Sequence, residues 1–315
     1  INCLVGIVMC FVPAKETPRE KLTSEKPDLS PSTRNSALVT AAVLGVTAMG
    51  VQAIWIRLFA VTLGSSVFAL STVLAVFIVG IGVGSLALVS RRWGGRFSLV
   101  SVLGLLSLTM ALGGFAVDWL PFAFNKVRLA CKASGWSFES FIWLRFLCVT
   151  FILLPITALF GAALPLATGS GSQSTHSQVK AFWVNTIGAV LGASLTLPLL
   201  VPALGLEGTY RFFVLLVAGM ALWEGAKQGA SVFKRKLRFY SGAAAIAVLL
   251  AAGMTFDPYL LSAGGFRSKS LPDTFVAYEA RLKKNKLLFY EDGKDASVAV
   301  LERGGHRVLK VNGKP

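Results

Sequence analysis

Val67-Phe68-Ala69-Leu70-Ser71-Thr72-Val73-Leu74-Ala75-Val76-Phe77-Ile78-Val79-Gly80-Ile81-Gly82-Val83-Gly84-Ser85-Leu86-Ala87-Leu88-Val89 contains no charged residue. A helix needs about 20 apolar residues to cross ~30 Å of hydrocarbon, and this stretch has the length and composition to do so. Gly80 and Gly84, one helical turn apart, mark a face for close helix packing. A G-x-G nucleotide loop is the weaker reading, because no strand precedes it.

Similar runs lie on both sides: Ser36–Leu63, Phe97–Leu120, Phe141–Thr168, Val179–Pro202, Tyr210–Ala226 and Tyr240–Phe256. The whole chain agrees with them. It is 54% hydrophobic and 15% charged, with a mean hydropathy of +0.67. The expected fold is therefore an all-α polytopic membrane bundle of about seven transmembrane helices. A net charge of +16 raises nucleic acid as a partner, but the basic residues sit in short clusters beside apolar runs. Membrane orientation and anionic headgroups explain that placement, so the lipid bilayer is the expected partner and nucleic acid is not.

The organisation read from composition has four parts. Residues 1–35 are an apolar stub and a Pro, Ser, Thr, Lys and Glu-rich linker expected to be disordered. Residues 36–256 form the bundle, and residues 257–285 a linker. Residues 286–315 open a small antiparallel β-domain, expected to be incomplete. Leu287–Tyr290, Ala296–Glu302 and Arg307–Val311 read as short strands, punctuated by Asp292-Gly293, Gly304-Gly305 and Asn312-Gly313. The absence of an initial Met and the stop inside a β-pattern lead us to expect a piece of a longer protein.

Arg91, Arg92 and Arg96 follow the second run, and Lys234, Arg235, Lys236 and Arg238 follow the sixth. The positive-inside rule places both clusters in the cytoplasm. Seven crossings then put the polar tail outside. Lys126, Arg128 and Lys132, read as part of a loop after the third run, argue weakly against that orientation.

Few residues carry the chemistry of a site. Gln52, Trp55 and Arg57 form Q-x-x-W-x-R near the end of the first run. Trp55 and Arg57 read as interface anchors, an amphipathic ring and a cation reaching the headgroups. Gln52 lies one turn deeper, and Asn185 is the polar residue of most interest within a run. Both are candidate substrate-binding residues, each weighed against an ordinary interhelical hydrogen bond. Pro155, Pro165, Pro198 and Pro202 are candidate points of helix bending. Cys3, Cys10, Cys131 and Cys148 form no C-x-x-C pair, and His176 and His306 stand alone, so no metal site or disulfide framework is read. Asp292 is explained by turn chemistry. No catalytic residue is assigned.

Several stretches taken in order resemble the membrane-embedded spermidine synthase-like proteins, fusions of a transporter-type bundle with a polyamine aminopropyltransferase domain. They are Gln52-Ala53-Ile54-Trp55-Ile56-Arg57-Leu58, Val67 to Leu74, Leu154-Pro155 with Gly161 to Leu166, and Asn185 to Ala193. Phe256-Asp257-Pro258, Leu288 to Lys294, Ala296 to Val300 and Val311 to Lys314 follow. The resemblance runs over most of the chain from Ser36 onward. It implies transfer of an aminopropyl group from decarboxylated S-adenosylmethionine to a diamine such as putrescine, by acids expected to lie beyond Pro315. Within this chain it implies no cofactor. The family usually has Glu where this chain has Gln52, which removes an intramembrane charge. The implied setting is a multi-pass protein of a bacterial inner or plasma membrane. A carrier of small amines and a membrane scaffold without catalysis are the competing readings.

Overall fold

The computed structural model describes residues 31–64, 67–89, 98–168, 175–227, 234–267 and 270–315. The expected stub, most of the expected linker before the bundle, and the Arg91, Arg92 and Arg96 cluster lie outside these residues.

Apolar composition drives helix after helix: α1 (Pro31–Leu63), α2 (Val67–Val89), α3 (Leu99–Ala116), α4 (Leu120–Ala133), α5 (Phe138–Ala167) and α6 (Thr175–Leu195). A π-helical turn at Thr196–Leu200 leads into α7 (Val201–Lys227), followed by α8 (Lys234–Gly253). Ser98 and Ser137 cap α3 and α5, each accepting from a backbone N–H three residues on. Five helical runs are long and apolar enough to cross a membrane: Arg34–Leu63, Val67–Leu88, Leu99–Ala133, Glu139–Ala167 and Ser177–Lys227. This corrects the expected seven. Residues 179–202 and 210–226 belong to one run, and the last apolar stretch is the shorter helix Ser241–Gly253.

The 51-residue run Ser177–Lys227 is not straight. Gly205 adopts φ 72° and ψ 173°, a left-handed value that glycine alone takes without strain. Before it, Gly188 abuts the Ala42 carbonyl and Gly192 the Val46 carbonyl, so α6 rises alongside α1. After it, the Tyr210 ring meets Trp55, Phe213 lies against Gly50, and Glu224 accepts from Ser36 and Thr40. The chain therefore descends α1 from Tyr210 to Glu224. The prolines do not break the backbone in this way: Pro198 sits within the π turn, and Pro155 and Pro165 lie inside a continuous α5.

Lipid-facing and protein-facing surfaces separate clearly. Val67, Phe68, Ile78, Leu86 and Phe151 are exposed, while Trp55, Phe59, Leu103, Leu106, Tyr210 and Phe213 are fully buried. Between membrane helices the hydrophobic effect gives little, and close packing must hold the bundle. Gly84 supplies it on α2: a side chain there would begin 1.8 Å from the Ala158 carbonyl oxygen of α5. The expected packing role of Gly80 and Gly84 thus has a definite partner.

Two segments expected as loop or linker are partly helical. The basic residues after α3 lie on α4, entered through a 3-10 turn at Val117–Trp119. Residues 257–285 contain α9 (Pro258–Leu261), a 3-10 turn at Gly265–Arg267 and α10 (Phe275–Lys283). Beyond them lies a three-stranded antiparallel sheet in the order β1 (Lys286–Asp292), β2 (Ser297–Arg303), β3 (His306–Val311). Tyr290 pairs with Ala299, and Val300 pairs with Leu309, with a register shift between Leu287 and Phe289. On β2, Ser297, Ala299 and Leu301 are buried in alternation, the period of a strand packed on one face.

Candidate functional site

The polar chemistry of the molecule concentrates where the sheet meets the bundle. Arg57 stands two turns before the end of α1 and is 7% exposed. A guanidinium at that depth requires acceptors. It donates to the Gly293 carbonyl at 2.6 Å, the Lys294 carbonyl at 3.3 Å and the Ser297 hydroxyl at 3.0 Å. The acceptors are gathered by the β1–β2 turn, closed by a bond from the Gly293 N–H to the Ala296 carbonyl. The fork of an arginine suits this because its planar donors reach several fixed oxygens at once. The interface-anchor reading of Trp55 and Arg57 is therefore corrected: Trp55 is fully buried, stacked on Phe59 and edge-on to Tyr210, and Arg57 grips the hairpin.

Asp292 completes the joint. Its Oδ1 accepts from the Tyr290 hydroxyl at 2.8 Å and from the Ser297 hydroxyl at 2.5 Å. Its Oδ2 accepts from the Leu206 N–H at 3.0 Å, just past the Gly205 break. A carboxylate there satisfies an orphan donor and meets the positive end of the helix dipole. Burial first, then the Asp292 charge, push the Tyr290 hydroxyl well above its usual value. Asn312, at φ 48°, ties β3 in by accepting from the Ser297 N–H.

A second set of contacts runs beside the first. Arg211 pairs with Glu207 and donates to the Met254 carbonyl. Glu207 also accepts from the Phe256 N–H, and Asp118 accepts from the Asp257 N–H, each at 3.0 Å. Asp257 caps α9 and forms an ion pair with Lys283 of α10 at 3.1 Å. Lys310 of β3 donates to the Ser262 carbonyl at 3.1 Å; burial first, then Arg303, lower its pKa.

These acids are engaged by backbone donors, hydroxyls and cations. Among the described residues no group of three or more His, Cys, Asp or Glu is placed to hold a metal ion. The arrangement fixes position and orientation of the sheet against the bundle.

Gln52 and Asn185 are not brought together. Gln52 is buried on α1, whereas Asn185 is half-buried on α6 with its main-chain carbonyl against Gly45. Seven residues separate Gly45 from Gln52, a rise of about 10 Å. Neither lines the cavity between α4 and α5 or the one bounded by α1, α4, α5 and Phe266. Asp292 was legible only as a turn residue, and its helix-capping partner is 86 residues distant in the chain.

No protein-family model, curated protein or solved structure matches the chain.

Proposed function

We propose that the bundle is a membrane mount for a polyamine aminopropyltransferase-like domain that the three-stranded sheet opens. The observation that carries the mounting role is the grip of Arg57 on the β1–β2 turn, reinforced by Asp292 on the Leu206 N–H. A buried charged joint of this kind holds a soluble element at fixed height and orientation. The substrate reading rests on the resemblance: decarboxylated S-adenosylmethionine gives its aminopropyl group to a diamine such as putrescine. The acids that take up the amine proton belong to the domain after the sheet. In this reading Ser177–Lys227 crosses the bilayer twice, reversing at Gly205, in a bacterial inner or plasma membrane.

Topology is the sharpest check. Cytoplasmic S-adenosyl substrates require the sheet end to face the cytoplasm. Lys227 and the basic start of α8 stand at the opposite end, and the positive-inside rule favours the reverse orientation. A reporter fused after Pro315 and active only in the cytoplasm decides between them. Cytoplasmic activity, with aminopropyl transfer to putrescine by membranes carrying the full reading frame, is the expected result. An external reporter overturns the transferase reading and leaves the mount.

A further inference from the structure

Helix α6 packs chiefly on α1, where Gly188 and Gly192 meet the Ala42 and Val46 carbonyls. Much of its remaining circumference is open: Phe182, Trp183, Ile187, Val190 and Leu191 are exposed. Apolar side chains there need only hydrocarbon around them. Asn185 is different. It is half-buried, at the border between the α1 contact and the open surface. Among the described residues nothing holds its side-chain amide, and neither polar atom is sealed inside the bundle. Its neighbour Thr186 meets its own need by donating to the Phe182 carbonyl at 2.9 Å.

Depth makes the open amide costly. The Asn185 main chain lies against Gly45 of α1, within the membrane run Arg34–Leu63. Along the helix, Gly45 is about 16 Å past Arg34 and about 27 Å before Leu63. Both distances exceed the roughly 5–8 Å of headgroup region on either side of ~30 Å of hydrocarbon. The amide therefore sits among lipid tails, which offer neither donor nor acceptor.

A partner must supply both. An Asn amide carries two donors on Nδ2 and an acceptor at Oδ1, so a second Asn amide is its complement. A cation or a carboxylate engages only half of it. Two copies of this chain in one bilayer share an orientation. A two-fold axis along the membrane normal then sets α6 parallel to its copy, with each residue at the contact opposite itself. Nδ2 of one Asn185 donates to Oδ1 of the other, and the reverse, so one contact satisfies both amides.

The same face permits the approach. Ala189 and Ala193 follow Asn185 at one-turn intervals, the first half-buried and the second exposed. Neither carries a side chain beyond Cβ, so two backbones can close on each other. A paired Asn also fixes register, as one polar residue does in a coiled-coil seam.

We infer that α6 is the contact of a homodimer within the membrane, joined by reciprocal hydrogen bonds between the two Asn185 amides. The dimer requires the bundle to span a bilayer and is independent of aminopropyl transfer.

The test uses the full chain, fluorescently labelled and reconstituted in phosphatidylcholine vesicles at falling protein-to-lipid ratio, with photobleaching steps counted. The unaltered chain is expected to bleach in pairs, and Asn185→Val to weaken pairing about tenfold. Absence of pairing in the unaltered chain overturns the proposal and leaves lipid or another protein on this face. Pairing unchanged in Asn185→Val also overturns it. A second measurement keeps Asn185 intact. Under copper–phenanthroline oxidation, Ala189→Cys is expected to cross-link to its own copy above the level of the unaltered chain with its four cysteines. Ile187→Cys, on the opposite side of α6, is expected to stay at that level. Equal cross-linking of the two variants overturns the α6 contact.

Discussion

Asp292 of the sheet accepts a hydrogen bond from the Leu206 backbone N–H at 3.0 Å, at the point where the helical run reverses at Gly205. One side chain thereby shapes the hairpin turn and ends an orphan donor in the bundle. Replacing it with Asn leaves a single acceptor oxygen for three donors. Asp292→Asn is expected to cost about 1–2 kcal/mol, the scale of a lost helix cap. Combined with Arg57→Ala in a double-mutant cycle, it is expected to be non-additive by at least about 0.5 kcal/mol, because Ser297 bonds to both residues. Strict additivity in detergent unfolding measurements would show two independent contacts.

Arg57→Lys keeps the charge and loses the fork. An ammonium cannot reproduce the geometry that engages the Gly293 and Lys294 carbonyls and the Ser297 hydroxyl together. Hydrogen exchange at the Gly293 and Ser297 amides is expected to rise about 30-fold, equivalent to about 2 kcal/mol of local stability. Unchanged exchange would remove the grip from the account of how the sheet is held.

Close packing at α2 gives a paired test. Gly84→Ala places a methyl group 1.8 Å from the Ala158 carbonyl, whereas Gly82→Ala meets nothing within 4 Å. The first is expected to destabilise the bundle by about 1–3 kcal/mol, as overpacking does, and the second to leave the melting midpoint unchanged. Equal midpoints for the two variants would contradict the α2–α5 contact.

Tyr290 sets an alkaline limit on the joint. Its hydroxyl is raised from the usual 10.0 by burial and by Asp292, and it stays protonated in the folded protein after the unfolded chain has begun to ionise. Its contribution is complete below pH 10 and declines as pH rises from there toward the folded value. Tyr290→Phe is expected to cost about 1 kcal/mol at neutral pH and to flatten the loss of stability above pH 10. Denaturant midpoints of both proteins between pH 8 and pH 11 provide the comparison, with equal alkaline slopes counting against it.

Short-range signals were readable in the residues. The apolar run of α2 and the Gly304-Gly305 and Asn312-Gly313 turns are local: all four turn residues take positive φ, and the strands begin and end within two residues of the expected limits. The amphipathic face of α4 was also present in the sequence but was masked by its basic residues, which suggested a loop. The role of Arg57 was not readable, because its acceptors lie 236 to 240 residues later in the chain. The reversal at Gly205 was hidden for a related reason. Pro198 and Pro202 are stronger local breakers, yet the positive φ falls on the glycine that the sheet holds through its neighbour Leu206.

The Asp292–Leu206 bond also sets an order of events during synthesis. At about 5–20 residues per second, the 86 residues between them take roughly 4–17 seconds to emerge. Throughout that interval the nascent helix after Gly205 stands without its carboxylate cap. The final fit of this part of the bundle is thus completed only when the β1–β2 turn arrives, and hairpin formation becomes the closing step of membrane-domain maturation.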